Sequence, residues 1–445
     1  MFQTHPLDLP EIRSKIANRL DLKDLASCAR VSLDWNDSFT PPLYKSVVLW
    51  KHDLTMDSVE RNKHLIQHLD IQIFTFKNLS STSERDEVIS RVMTNSVLIT
   101  LILGEKTIGN SGVEALSEAL KTNSTFTTLR LWQNSIGPNG AQALSDALKT
   151  NLTLTNLWLL DLEGNSIEND GAQALSEALK TNATLTSLDL SDNLIEPNGA
   201  QALSEALKTN STLTTLSLVR NLIEDNGAVA LSEALKTNST LAKLNLYGNS
   251  IGPNGAQALS EALKMNSTLA SLDLRYNSIG DNGAVALSKA LKVNSTLAEL
   301  YMCDNSVGPN GAVALSEALK LNSTLITLDL EDNAIGDDGA QALSEALKIN
   351  SALTTFDLKN NAIGDNGAQA LSEALKTNST LTTLYLENNS IGPNGAQALS
   401  EALKTNSTLA ELDLWDNWIE GDGAQALSEA LKTNSTVTIR GVVFQ

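Results

Sequence analysis

An asparagine recurs every 28 residues along most of this chain, and that period constrains the fold more than anything else in it. It is read at Asn165, Asn193, Asn221, Asn249, Asn277, Asn305, Asn333, Asn361, Asn389 and Asn417. Asn134 stands 31 residues before Asn165, so one unit is three residues longer, and Lys106 occupies the corresponding place in the first unit. A fixed period of this length is the mark of a stacked-repeat architecture, in which one supersecondary unit is copied end to end.

The unit Leu185–Thr212 shows what is copied. Leu188 and Leu190 are two residues apart, the spacing of a strand with one buried face. Asn193 follows, with a side-chain amide able to satisfy the backbone of the turn that ends the strand. Stacked units would align these amides into a ladder. Pro197-Asn198-Gly199 is turn chemistry with a proline suited to a helix start. Ala202, Leu203, Ala206 and Leu207 then fall on one helical face, with Glu205 and Lys208 on the other at neighbour spacing. Asn210 is expected to end the helix, because asparagine tolerates the left-handed conformation.

Each unit is therefore a short strand, a turn and a helix, and it buries its apolar face only against the next unit. Strands pair about 4.8 Å apart, whereas helices pack at roughly 8–10 Å. That mismatch predicts a curved α/β stack with a parallel sheet on the concave side and helices outside. Strands are expected to start near Leu98, Phe126, Leu157, Leu185, Leu213, Leu241, Leu269, Leu297, Leu325, Leu353, Leu381 and Leu409. Val437–Phe444 is expected to close the C-terminal edge as a truncated strand.

The pattern LxxLxLxxNxIxxxGAxALSxALxxN resembles the ribonuclease-inhibitor type of leucine-rich repeat. That class also includes the Ran GTPase-activating protein and the repeat domains of NOD-like receptors. The resemblance implies a horseshoe over residues 98–445 that binds other proteins on its concave face and carries no catalytic residues.

The helices are near copies of Ala-Leu-Ser-Glu-Ala-Leu-Lys, so variation is concentrated on the strands and just after them. There the array holds Trp132, Tyr247, Tyr276, Tyr301, Tyr385, Trp415 and Trp418, with Asp329, Glu331 and Asp357 among them. Exposed aromatics ringed by charge are what interface anchors look like. These ten residues are the candidate target-binding set. The alternative is that the positions drift freely in a duplicated array and bind nothing specific.

Residues 1–97 differ in composition and hold all four histidines, His5, His52, His64 and His68. Leu9-Pro10-Glu11-Ile12 begins a run in which Ile12, Ile16 and Leu20 repeat at helical spacing. Asp21–Ala29 and the stretch around Val31–Asn36 read as two more short helices. Leu9-Pro10-Glu11-Ile12, Ile16, Leu20, Asp24-Leu25, Val31-Ser32, Trp35 and Pro42-Leu43-Tyr44 together resemble an F-box. The resemblance implies an all-α segment over 1–48 that docks on a Skp-type linker subunit of a cullin-RING ubiquitin ligase. By position, Leu9, Pro10, Ile12, Ile16 and Leu25 would make that contact. A plain helical cap on the repeat array is the other reading. Residues 49–97 read as a transition: Leu65–Phe74 alternates like a strand and would serve as an irregular capping repeat, and Ser80–Asp86 is a surface loop.

Composition narrows the function classes. Lys and Arg total 32 against 52 Asp and Glu, a formal net charge of -20. Such a field repels phosphate backbones and anionic membrane surfaces and would steer a basic protein partner inward. Aromatics are only 4%, so the core must be aliphatic. Two distant cysteines, Cys28 and Cys303, exclude a disulfide scaffold and suit a reducing compartment. Met1-Phe2-Gln3-Thr4-His5-Pro6 does not read as a signal peptide, and no apolar run is long enough for a membrane helix. The expected location is the cytoplasm or the nucleus. Asn-X-Ser/Thr sequons at Asn123, Asn210 and Asn406 read as helix-end residues rather than glycan sites.

No Walker sequence and no Cys/His metal cluster is present, and no histidine lies beyond His68, so no enzyme, cofactor or metal role is expected. Acidic pairs such as Asp329 and Glu331 are expected to be solvated on an open wall, and so unsuited to acid–base work. The favoured function is a substrate-recognition adaptor of an F-box ubiquitin ligase. A Ran-type GTPase-activating protein, an enzyme inhibitor and a free scaffold remain the alternatives.

Overall fold

The computed structural model describes residues 46–48, 66–71, 98–104, 108–151 and 159–442. Leu9, Pro10, Ile12, Ile16 and Leu25 lie outside these. By its contacts the chain falls into two compact units, residues 1–193 and 194–445.

In residues 1–193 the strands Ser46–Val48, His68–Ile71, Thr100–Leu103, Thr128–Arg130, Leu159–Asp161 and Ser187–Asp189 pair in sequence order, all parallel. Helices Gly109–Leu120, Pro138–Thr150 and Glu168–Leu179 alternate with the later strands. His68–Ile71 falls within the stretch read as an irregular first repeat and pairs with Thr100–Leu103. In residues 194–445, parallel strands run in order from Thr215–Ser217 to Thr438–Arg440, with a helix before each.

Each strand is three or four residues long and begins about two residues later than the leucine spacing predicts. The asparagine at the end of each helix explains the delay. Asn238 Oδ1 accepts from the N–H groups of Thr240 (3.0 Å) and Leu241 (2.8 Å), so Leu241 is buried in a turn. The ladder starts only at Ala242, whose N–H donates to Thr214. Leu216, Leu218 and Ile223 then enter the core, followed from the helix Glu224–Leu235 by Ala228, Ala230, Leu231, Ala234 and Leu235. On the outer helix face Lys208 Nζ lies 2.7 Å from Glu205, an exposed pair worth a few tenths of a kcal/mol.

Helix starts are capped from the preceding repeat. Proline occupies the first position at Pro253, yet the residue before it makes no side-chain cap bond. Asp225 Oδ1 does so instead, accepting from Gly252 (2.7 Å) and Gly255 (2.8 Å). Asp281, Asp337 and Asp365 repeat the arrangement on later helices. This close approach explains the glycine of the Gly-Ala pair, because a Cβ at Gly255 would stand 2.8 Å from that carboxylate and 2.6 Å from Ile251.

Two buried asparagine ladders bind repeat to repeat. In the strand-end ladder, Asn361 Nδ2 donates to Leu330 O (2.7 Å), 31 residues back, and to Lys359 O (2.8 Å), while Oδ1 accepts from Ile335 N–H (3.2 Å). The amide therefore serves the neighbouring turn as much as its own. In the helix-end ladder, Asn238 Nδ2 donates to Leu207 O (2.8 Å) and Asn210 O (3.3 Å). The first is the last carbonyl of the helix Pro197–Leu207 and the second lies in the loop after it, so the amide closes the helix end of the previous unit.

The expected left-handed cap at Asn210 is not found, since its φ is not positive. Its N–H still donates to Ala206 O (2.9 Å), keeping the turn right-handed, and its Oδ1 accepts from the N–H groups of Thr212 and Leu213 in the turn that follows. Asn123, Asn210 and Asn406 are all buried in this role.

The ladder makes a direct prediction. Asn361→Ala orphans the Ile335 amide and leaves the Leu330 carbonyl with Asn333 Nδ2 alone, and is expected to cost about 2 kcal/mol in urea unfolding. The Ile335 amide should exchange faster in the same variant. The exposed Asn394→Ala serves as control, at under about 0.5 kcal/mol. Equal stability of the two variants would show that the ladder does not carry the fold.

Candidate protein-binding surface

In-register pairing turns the variable strand positions into rows. Asn245, Asp273, Tyr301, Asp329, Asp357, Tyr385 and Asp413 stand side by side on successive strands. Two residues further on, the second row holds Tyr247, Arg275, Cys303, Glu331, Lys359, Glu387 and Trp415. Adjacent strands are about 4.8 Å apart, so each row brings equivalent side chains of successive repeats close together.

Three tyrosines gather around one arginine. The rings of Tyr247 and Tyr276 lie 4.7 Å apart, tilted by 37°. The Arg275 guanidinium sits over Tyr247 at 5.6 Å and over Tyr301 at 5.2 Å, and Arg220 reaches Tyr247 at 5.7 Å. Arg275 is fixed by a fork onto Asp273, with Nη2 at 2.6 Å and Nε at 3.0 Å. A second cluster lies further along. Lys359 Nζ is 3.1 Å from Asp357 and 3.9 Å from Glu331, and stands 4.8 Å over the Tyr385 ring.

Between the clusters lies Asp329, 8% exposed and in no ion pair among the described residues. Burial pushes its carboxyl up to about 6, and the adjacent Asp357 adds to the rise against a hydrogen bond from Glu331 N–H. Burial likewise raises Glu331 and Asp357. The expectation of solvated acids on this wall is therefore corrected. Side chains of the neighbouring strands crowd the carboxylates and strip water from them.

Cys303 is buried, and its thiol is raised far above the usual range by burial and by Asp329 and Glu331. The donor atoms of Cys303, Asp329 and Glu331 lie within 4.8 Å of one another.

The remaining candidates sit apart from these clusters. Trp415 and Trp418 are 55% and 70% exposed, and Trp418 stands after the strand rather than on it. Trp132 belongs to residues 1–193, where its indole lies against Gly104 so closely that a Cβ there would be 2.5 Å from the ring. In that unit Arg130, Asp161 and Asp189 share a row, and Asp161 is raised mainly by burial. Sequence reasoning passed over Arg275, Asp273 and Lys359 as site residues. The repeat alignment puts them in the same rows as the tyrosines, but the ion pairs and ring contacts that make them part of the site are visible only in the structure.

Ionising a carboxyl whose folded pKa is about 6 rather than 3.8 disfavours the folded state. The penalty is absent below about pH 4 and complete above about pH 6. Asp329→Asn is therefore expected to match the parent near pH 4 and to exceed its stability by on the order of 2 kcal/mol at pH 7.5. A gap that is equal at both pH values in urea titrations would contradict the burial argument.

Comparison with known proteins agrees with the repeat geometry. The family described as "Leucine Rich repeat" matches residues 122–145, 153–176, 181–204, 209–232, 237–260, 266–288, 321–344, 350–372, 377–400 and 405–428, over half of the chain. No curated protein matches. Among solved structures, the complex of Rad7 and Elc1 in yeast is similar with a TM-score of 0.50 and 16% identity, covering 97% of this chain and 92% of that one. An internalin from Listeria monocytogenes gives a TM-score of 0.48 and 19% identity over 82% of this chain and 95% of its own. Actin-binding site 2 of leiomodin-1 gives 0.30 and 24%, over 35% and 88%. At these identities the first likeness shows the fold alone, and the other two carry no argument. With strand, asparagine and helix recurring in the matched segments, the chain belongs to the leucine-rich-repeat family.

Proposed function

We propose that this chain is the target-recognition subunit of an F-box type cullin-RING ubiquitin ligase, acting in the cytoplasm or nucleus. Its repeats hold a protein target on the sheet face, and its first 48 residues dock on a Skp-type linker subunit. The repeats are of the ribonuclease-inhibitor type, with a full helix in every 28-residue unit.

One observation carries the binding role. The frame is nearly identical from repeat to repeat, while the sheet face varies and collects tyrosine, arginine and acid in contact with one another. Tyrosine and arginine are the residues that most often dominate protein interfaces. The acids outnumber the cations along the rows, which fits a basic target. The F-box-like pattern from Leu9 to Tyr44 supports the docking role. The yeast Rad7 structure, similar in fold, is a complex with Elc1, which is in keeping with a repeat protein that works beside a second chain.

Arg275 is held by Asp273 and so is not free to enter another enzyme's site. The chemistry in this proposal belongs to the ligase, and the chain contributes proximity.

The full-length protein is expected to bind a Skp-type linker with about micromolar affinity or tighter, and Leu9→Ala/Pro10→Ala to abolish it. A folded protein that binds no linker would end the ligase reading. Separately, Tyr301→Ala/Tyr385→Ala should lose targets captured by in-cell crosslinking while keeping the linker. Targets retained by that variant would move the binding surface off the sheet face.

A further inference from the structure

Four consecutive repeats break the frame at one position on the other side of the unit. The residue after the lysine that ends each helix is threonine at Thr209, Thr237, Thr377, Thr405 and Thr433. Its hydroxyl donates to the helix carbonyl three residues back, as Thr237 does to Ala234 (3.3 Å) and Thr377 to Ala374 (3.2 Å). Between them stand Met265, Val293, Leu321 and Ile349, which are 66%, 64%, 67% and 62% exposed. The backbone there is unchanged: Met265 N–H donates to Ala262 O at 3.0 Å, as Thr237 N–H does to Ala234 O at 3.1 Å. The exchange gives up a capping hydrogen bond and puts an apolar side chain in water. The fold gains nothing from it. One such residue needs no explanation, but a row of four at the same place in successive repeats does.

The surroundings of the row restrict what covers it. Lys264, Lys320 and Lys348 precede three of the four and pair with Glu261, Glu317 and Glu345. Lys292, beside Val293, has Lys289 where the other helices of residues 194–445 carry glutamate. Both lysines are exposed, so the middle of the row has a local positive excess in a chain of net charge -20. The backbone along this edge is already engaged. Thr268 and Leu269 N–H donate to Asn266 Oδ1, and Asn266 Nδ2 donates to Leu235 O and Asn238 O. No rungs remain for an extended peptide, whose affinity comes chiefly from main-chain bonds. A helix satisfies its own backbone. Its heptad rises about 10.5 Å, close to the roughly 8–10 Å between packed helices, so one apolar residue per heptad keeps step with one repeat.

We infer that Met265, Val293, Leu321 and Ile349 form a second docking surface, separate from the sheet face, for an amphipathic helix of a partner protein. That helix carries an apolar anchor in each heptad and carboxylates beside Lys289 and Lys292. A second copy of this chain fits less well, because pairing the rows would bring like lysines together. An anionic membrane is opposed by the net charge and by the glutamates on the adjoining helices. The inference stands independently of the ligase reading.

The probe is a labelled synthetic helix of about four heptads with leucine anchors and glutamate flanks, compared with the same helix carrying lysine flanks. Fluorescence anisotropy with full-length protein should show binding of the acidic helix only. The variant Met265→Thr/Val293→Thr/Leu321→Thr/Ile349→Thr writes the array's own residue back and is expected to fold, with unchanged circular dichroism and Tm no lower. It should bind at least about tenfold more weakly. Lys289→Glu, which restores the ion pair with Lys292, should weaken the acidic helix severalfold, whereas Tyr301→Ala should leave it unchanged. The proposal is overturned by equal affinity in the threonine variant, by no binding of the acidic helix, or by preference for the lysine-flanked one. It is also overturned if the threonine variant instead loses self-association in sedimentation velocity, or loses binding to phosphatidylserine vesicles.

Discussion

The carboxamide of asparagine is what lets one repeat stand on another. A strand–turn–helix unit leaves a turn N–H and several helix carbonyls without partners, and buried groups of that kind cost about 1–3 kcal/mol each when unpaired. Both asparagines reach 31 residues back to a backbone carbonyl of the previous unit. Aspartates such as Asp281 do the same for the helix starts of the following unit. The bonds that close each repeat therefore lie between repeats, and a single unit has no stable form of its own. This explains why the frame varies so little along the chain. A change at a ladder position damages two units at once.

The same constraint creates the electrostatics of the sheet face. Parallel strands held in register place equivalent residues side by side, so Asp329 falls beside Asp357 whether or not the charges agree. Like charges opposite one another are unfavourable in a sheet. Lys359 relieves one side by pairing with Asp357 and Glu331, while Asp329 is left with a raised pKa. The arginine–tyrosine cluster is the counterpart on the other side, where Arg275 neutralises Asp273 and covers two rings. A face assembled this way stores unfavourable charge that a cationic group from outside would relieve.

Much of the frame was legible in the sequence because its causes are local. The leucine spacing gives the strand, the alanine–leucine face gives the helix, and the 28-residue period gives the stacking. What escaped the sequence were interactions between units. Asn210 was read as a left-handed cap because that is what an isolated helix end would use, and the neighbouring Asn238 made it unnecessary. The strand starts were placed early because leucine spacing does not show that Asn238 has already taken the amides of Thr240 and Leu241. For the surface, the aromatic residues were visible one by one. Arg275 and Lys359 align with them in sequence, but which acid and which ring each one pairs with depends on side-chain geometry, and burial of Asp329 depends on both neighbouring strands.

Several departures from the frame fall together in one repeat. Residues 289–320, the stretch between two matched family segments, hold Lys289 for glutamate, Val293 for threonine, Met302 for leucine, Cys303 and Val307. The tyrosine–arginine cluster ends at Tyr301 in the same stretch, and the apolar row runs through Val293. Met302 and Val307 are fully buried, so the core of this repeat changes together with its two faces. The frame therefore absorbs substitution in a repeat only while the asparagine ladders on either side of it are kept, and here Asn294 and Asn305 keep both.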